Sequence, residues 1–91
     1  MNKRVINAVE TLDPGFLRVT WQDGASFDLD LLDWLTGSPM LEMLQIPEVF
    51  RDVTIEDGGW GLVWVNGVDF CSDALRLRAE EQNSANTKVD A

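Results

Sequence analysis

Apolar and polar residues alternate with a period of two through most of the first thirty positions. Lys3 to Thr11 (KRVINAVET) predicts a strand with Val5, Asn7 and Val9 on one face and Ile6 and Ala8 on the other. Asp13-Pro14-Gly15 predicts a turn, because proline fixes φ at its second position and glycine accepts a positive φ after it. Phe16 to Trp21 (FLRVTW) alternates again, with Leu17, Val19 and Trp21 on one face and Arg18 and Thr20 on the other. Gln22-Asp23-Gly24 reverses the chain, and Ala25 to Leu29 returns as a third strand. The opening third reads as a β-meander.

The period changes at Asp30. That residue is placed as an N-cap, with Asp33 three positions on as the acid of a capping box. Leu31, Leu32, Trp34 and Leu35 then predict one or two helical turns, ended by Gly37 and Pro39. Met40 to Leu44 predicts a second short turn, and Pro47-Glu48 a third that carries Val49 and Phe50. Val53 to Ile55 predicts a fourth strand and Glu56 to Gly59 a loop. Trp60 to Val65 follows as a fifth strand, with Trp60, Leu62 and Trp64 side by side on one face. Asn66-Gly67 is a hairpin-type turn, and Ser72 or Asp73 caps a last helix from Ala74 to about Gln82. These elements predict one domain over residues 1–82 and a disordered polar tail over 83–91. Its class is α+β: a small antiparallel sheet, built of a three-strand meander and a two-strand hairpin, with short helices in the order β-β-β-α-β-β-α. A faint internal echo links Leu17–Leu29 to Leu62–Phe70, each a strand followed by an acid- or amide-glycine turn.

Length and composition narrow what such a domain can do. Ninety-one residues allow a single core that buries about 60–65% of the unfolded surface, so the four tryptophans and four phenylalanines are largely committed to it. Sixteen acidic residues against seven basic ones give a net charge of −9. Phosphate backbones and anionic membranes repel such a chain, so direct nucleic-acid binding and membrane association are not expected. A basic protein partner is electrostatically favoured. No stretch reads as a signal peptide or a membrane span, and the expected location is cytoplasmic. Cys71 is the only cysteine, read as a small, partly buried hydrophobe.

Candidate chemistry is sparse. The run FDLDLLD (Phe27 to Asp33) departs from a Ca²⁺ loop, with Leu32 at the third ligand position and Asp33 where glycine is required. Its acids are accounted for by a helix N-terminus. Asp69 and Asp73 lie at a second junction, but histidine and tyrosine are absent, as are a nucleophile motif, a phosphate loop and metal-ligand spacing. The chain therefore reads as a non-enzyme without a cofactor. Four tryptophans spread over three elements fit one shared core. Partner-binding candidates are Trp60 and Trp64 with Asp28 and Asp69.

The order and spacing of three segments carry a family resemblance. Asp23-Gly24 is followed by Asp28-Leu29, then Phe50 precedes Val53 and Ile55, and the pattern closes on Leu62, Trp64, Asn66-Gly67, Asp69-Phe70, Asp73 and Leu75. Over roughly Arg4 to Arg78 this resembles the bacterial domain of unknown function 2442. Two departures are a glycine-richer Gly58–Gly61 segment and a variable stretch over residues 39–46. The resemblance implies a small α+β fold with an antiparallel sheet and supplies no catalytic residues. Similar domains occur alone or ahead of a helix-turn-helix domain, and stand-alone members are often encoded beside another small protein, as in toxin–antitoxin pairs. No helix-turn-helix pattern follows Gln82, so a DNA-binding role of the fused relatives does not carry over. Together these readings predict a protein-interaction module, antitoxin-like or regulatory, for a small basic protein, with homodimerisation through a sheet edge or the last helix as another mode. The competing expectation is a small-ligand or metal site at the Asp28/Asp30 and Asp69/Asp73 junctions.

Overall fold

A computed structural model of the protein describes residues 5–90, with side chains as far as Asn83. The first two residues of the predicted opening strand, Lys3 and Arg4, lie outside the described residues. Two three-stranded antiparallel sheets share one apolar core. The first is the meander β1 (Ile6–Thr11), β2 (Phe16–Trp21) and β3 (Ser26–Asp30). The second is β4 (Val53–Ile55), β5 (Gly61–Trp64) and β6 (Asp69–Cys71). Between the sheets run a 3-10 turn at Leu32–Trp34, helix α1 (Pro39–Glu42), a 3-10 turn at Met43–Gln45, and helix α2 (Pro47–Phe50). Helix α3 (Ser72–Asp90) closes the chain. The α+β class and element order predicted by the sequence stand, with one strand more than the pattern revealed.

Period-two alternation built the first sheet as expected. Leu17, Val19 and Trp21 of β2 are fully buried, and Leu29 lies opposite Leu17 on the same face. The outer face carries a charged ladder across all three strands, in which Arg18 pairs with Glu10 on one side and Asp28 on the other. The predicted faces of β1 need correction. Its register with β2 slips between Ile6 and Ala8, and this bulge puts Ile6 in the core and exposes Ala8, with Val9 half-buried against the core. One extra residue inverts the alternation on one side of the slip, which periodicity alone cannot place.

The echo between the two halves is a repeated hairpin. At Trp21–Ala25, the Gly24 N–H donates to the Trp21 carbonyl and the Trp21 N–H to the Ala25 carbonyl. At Trp64–Val68, the Gly67 N–H donates to the Trp64 carbonyl and the Trp64 N–H to the Val68 carbonyl. Gly24 and Gly67 take the positive φ that this three-residue loop needs, 92° and 94°. Asp23 and Asn66 each accept, through a side-chain oxygen, the backbone N–H two residues on, at 3.1 and 3.2 Å. Each hairpin opens on a buried tryptophan whose indole N–H is satisfied, Trp21 by Ser72 Oγ at 3.1 Å and Trp64 by the Phe50 carbonyl at 2.9 Å. An indole is buried at low cost only when that donor finds an acceptor.

The first predicted helix contracts to a single 3-10 turn. The Asp30 carboxylate accepts the Leu32 N–H at 3.0 Å, but Asp33 does not reach back to close a capping box. Helix α3 takes those groups instead. Gln82 bonds the Asp30 backbone reciprocally, accepting its N–H at 3.2 Å and donating to its carbonyl at 2.9 Å. Arg78 donates to the same carbonyl and to the Asp33 carboxylate. This edge-to-helix clamp depends on residues about fifty positions apart, so local capping rules do not foresee it. Ser38, by contrast, caps α1 locally by accepting the Leu41 N–H at 3.2 Å. Helix α3 begins at Ser72 and runs past the Gln82 end read from the sequence.

Candidate interaction surface

The two tryptophans of GGWGLVWV part company. Trp64, in β5, is 2% exposed and lies in an aromatic row: stacked on Phe50 at 5.9 Å, edge-on to Phe70 at 5.5 Å, with Trp34 beyond it at 5.1 Å from Phe70. It is a core residue. Trp60 is 51% exposed. Its φ/ψ of −84°/−5° is helical, so β5 starts one residue later and Trp60 does not share the Trp64 face. The expectation of two adjacent tryptophans on one sheet face is thereby corrected. Gly58 and Gly59, both at positive φ, turn the chain just before the strand, and that turn rotates Trp60 out of the alternation.

The acidic candidates are also separated. Asp28 lies on the outer face of the first sheet, bonded at 2.8 and 3.2 Å to Arg18, which holds its carboxyl below the usual carboxylate range. It borders a shallow polar cleft of about 360 Å³ between that sheet and α3, lined also by Arg18, Ser26, Phe27 and Gln82. Asp69 belongs to the second sheet, in β6 opposite Val63, and is exposed. The residues between the Asn66-Gly67 turn and the last helix, read only as a junction, form a strand because β5 offers them a partner across that turn. Asp30 and Asp33 are occupied at the α3 clamp. Among the described residues no group of three or more acids or cysteines gathers where it could hold a metal ion. Cys71, expected to be partly buried, is exposed on β6.

Two features of the surface escaped sequence reading. Met40, Met43 and Ile46 are exposed at three-residue intervals, and Val65 near them is exposed as well. The Asn66 side-chain amide joins the two regions, donating to the Met40 carbonyl at 3.0 Å and contacting Met43 Sδ at 3.9 Å. The i, i+3, i+6 spacing was visible, but a residue's solvent face is fixed only by what covers its neighbours. The second feature is the pairing of cations with both rings and acids. The Arg76 guanidinium lies 5.2 Å from the Trp21 ring and 5.7 Å from Phe27, and bonds Asp23 and Glu80. The Arg78 guanidinium lies 5.5 Å from the Trp34 ring while bonding Asp33. The Arg76 hydrogen bond, with that from the Ala25 N–H, holds Asp23 below the usual carboxylate range.

No described helix is long and apolar enough to cross a membrane. No curated protein matches the chain. A crystal structure described as that of a "putative DNA binding protein" from Nitrosomonas europaea is similar at 30% identity, with a TM-score of 0.69. The match covers 92% of this chain and 56% of that one, so this chain spans little more than half of its neighbour's length. Residues 6–81 match the model of DUF2442, a protein family of unknown function, and the chain belongs to that family.

Proposed function

We propose that the chain is a non-enzymatic protein-interaction module whose partner is a small basic protein, in an antitoxin-like or regulatory arrangement. The observation that carries this reading is the distribution of charge on the surface. Among the described residues Arg18, Arg76 and Arg78 are each paired with carboxylates of the chain itself, while Arg51 is exposed and makes no ion pair. Glu42, Glu48, Asp52, Asp57, Asp69 and Asp73 remain exposed, and among the described residues they make no ion pair. A surface so arranged attracts cations and repels phosphate. The exposed apolar residues beside it, Met40, Met43, Ile46 and Val65, supply the kind of adaptable contact that a protein partner covers.

The structural neighbour is described in terms of DNA binding, and this chain corresponds to 56% of it. A net charge of −9 opposes binding to a phosphate backbone. Co-purification of the tagged chain from its native host tests the reading: a basic protein is expected at a stoichiometric ratio. A chain that elutes alone, or one that saturably binds duplex DNA in an anisotropy titration, would refute it.

A further inference from the structure

We propose that Trp60, with Asp57 and Asp73, is the docking point for an arginine side chain of the partner. The inference rests on the reading above and deepens it by naming the chemistry of one contact. Its first support is the way Trp60 is presented. The indole leans on the backbone of Gly58, where an added Cβ would come within 2.7 Å of Nε1 and 2.8 Å of Cδ1. A glycine at positive φ therefore forms a seat for the ring, and half of the residue's surface is left open to solvent. Among the described residues its indole N–H has no acceptor, in contrast to Trp21 and Trp64.

The second support is the pair of acids that adjoin it along the backbone. Asp57 immediately precedes the Gly58 seat, and Asp73 immediately follows Ser72, whose N–H donates to the Trp60 carbonyl at 2.8 Å. Both acids are exposed and without an ion pair among the described residues. The third support is internal precedent. Twice this molecule joins a tryptophan ring, a nearby aspartate and an arginine: Trp21 with Asp23 and Arg76, and Trp34 with Asp33 and Arg78. Trp60 offers an exposed ring with two acids adjoining it along the chain, and among the described residues no guanidinium lies over it. Arginine suits this gap better than lysine because its planar guanidinium can stack on an indole while its edge bonds a carboxylate.

An arginine–glycine peptide, its lysine counterpart and the uncharged glutamine counterpart serve as probes, read by the NMR signal of the Trp60 indole N–H. The arginine peptide should move that signal saturably, and the buried Trp21 and Trp64 signals should stay in place. Trp60→Ala should weaken binding about two- to five-fold, the span expected of an exposed cation–π contact. Trp60→Phe should recover part of the loss. Asp57→Asn with Asp73→Asn should weaken binding further and reduce its dependence on salt. An unmoved Trp60 signal, equal binding of the lysine peptide, or Trp60→Ala binding at wild-type strength would each overturn the proposal. Co-purification of Trp60→Ala separates the two levels: a partner retained at full yield removes this docking point alone, whereas wild-type protein that captures no basic protein removes the wider reading.

Discussion

Replacing Trp64 with phenylalanine should destabilise the protein severely, while the same change at Trp60, four residues earlier, should leave it nearly untouched. Trp64 is buried, and its indole N–H is the donor that satisfies the buried Phe50 carbonyl at 2.9 Å. Phenylalanine has no such donor, and a buried acceptor left unpaired costs about 1–3 kcal/mol. The smaller ring also vacates space between Phe50 and Phe70, both within 6 Å of it by ring centre, adding a transfer and cavity cost of about 1–2 kcal/mol. The sum, about 2–5 kcal/mol, is a large share of the stability of a domain this size, commonly about 5–15 kcal/mol. It corresponds to a fall in Tm of roughly 10–25 °C. Trp60→Phe keeps a ring on Gly58 at a half-exposed position and should change stability by no more than about 0.5 kcal/mol. Urea and thermal unfolding followed by far-UV circular dichroism compares the two without relying on the altered fluorophores. Equal losses for both variants, or a Trp64→Phe cost below about 1 kcal/mol, would refute the assignment of one tryptophan to the core and the other to the surface.

Three further outcomes follow from particular contacts. Ser72→Ala should cost about 1–3 kcal/mol in a denaturant titration, because the buried Trp21 indole N–H loses its acceptor at 3.1 Å. Gly59→Ala should be far more damaging than Gly24→Ala, although both glycines have positive φ. At Gly59 a Cβ would meet Val5 Cγ1 at 2.5 Å and the Ile6 carbonyl at 2.8 Å, whereas at Gly24 it would meet nothing. Gly24→Ala should therefore show only the left-handed penalty of about 1–2 kcal/mol, and Gly59→Ala clearly more in the same thermal melts. Acid should also weaken the fold through Asp23 and Asp28, both held below the ordinary value of 3.8 by Arg76 and Arg18. A carboxyl lowered in the folded state contributes stability that is present above its unfolded value and lost as pH falls through the folded one. Tm should thus decline as pH drops through 3.8 and below, and Asp23→Asn should flatten that decline.

Much of the candidate surface was hidden in the sequence for identifiable reasons. Trp60 and Trp64 share a parity in a strand-like run, so alternation assigns them one face. Two positive-φ glycines break that parity at Trp60, and whether a Gly-Gly pair turns or extends depends on what packs on it, here Val5 and Ile6. Alternation places Asp28 on a strand, but its pairing with Arg18 requires the register of β2 against β3. Asp69 reads only as part of a junction because three residues after a turn carry too little pattern to announce a strand without their partner, β5.

The sequence by itself determined the meander, the two hairpin turns, the α+β order and the family, because each is encoded locally. Alternation selects the buried face of β2, Asp-Gly and Asn-Gly select the loop, and the spacing of those signals identifies the family. Its charge excess, too, is fixed by composition alone. Only the tertiary structure decided which acids remain available, since Arg18, Arg76 and Arg78 find their carboxylates across strands or between α3 and the first sheet. It likewise decided that α3 clamps the end of β3 through Gln82 and Arg78, and that Trp64 is covered while Trp60 is not. These outcomes depend on groups tens of residues apart meeting at bonding distance, and no local pattern contains that information.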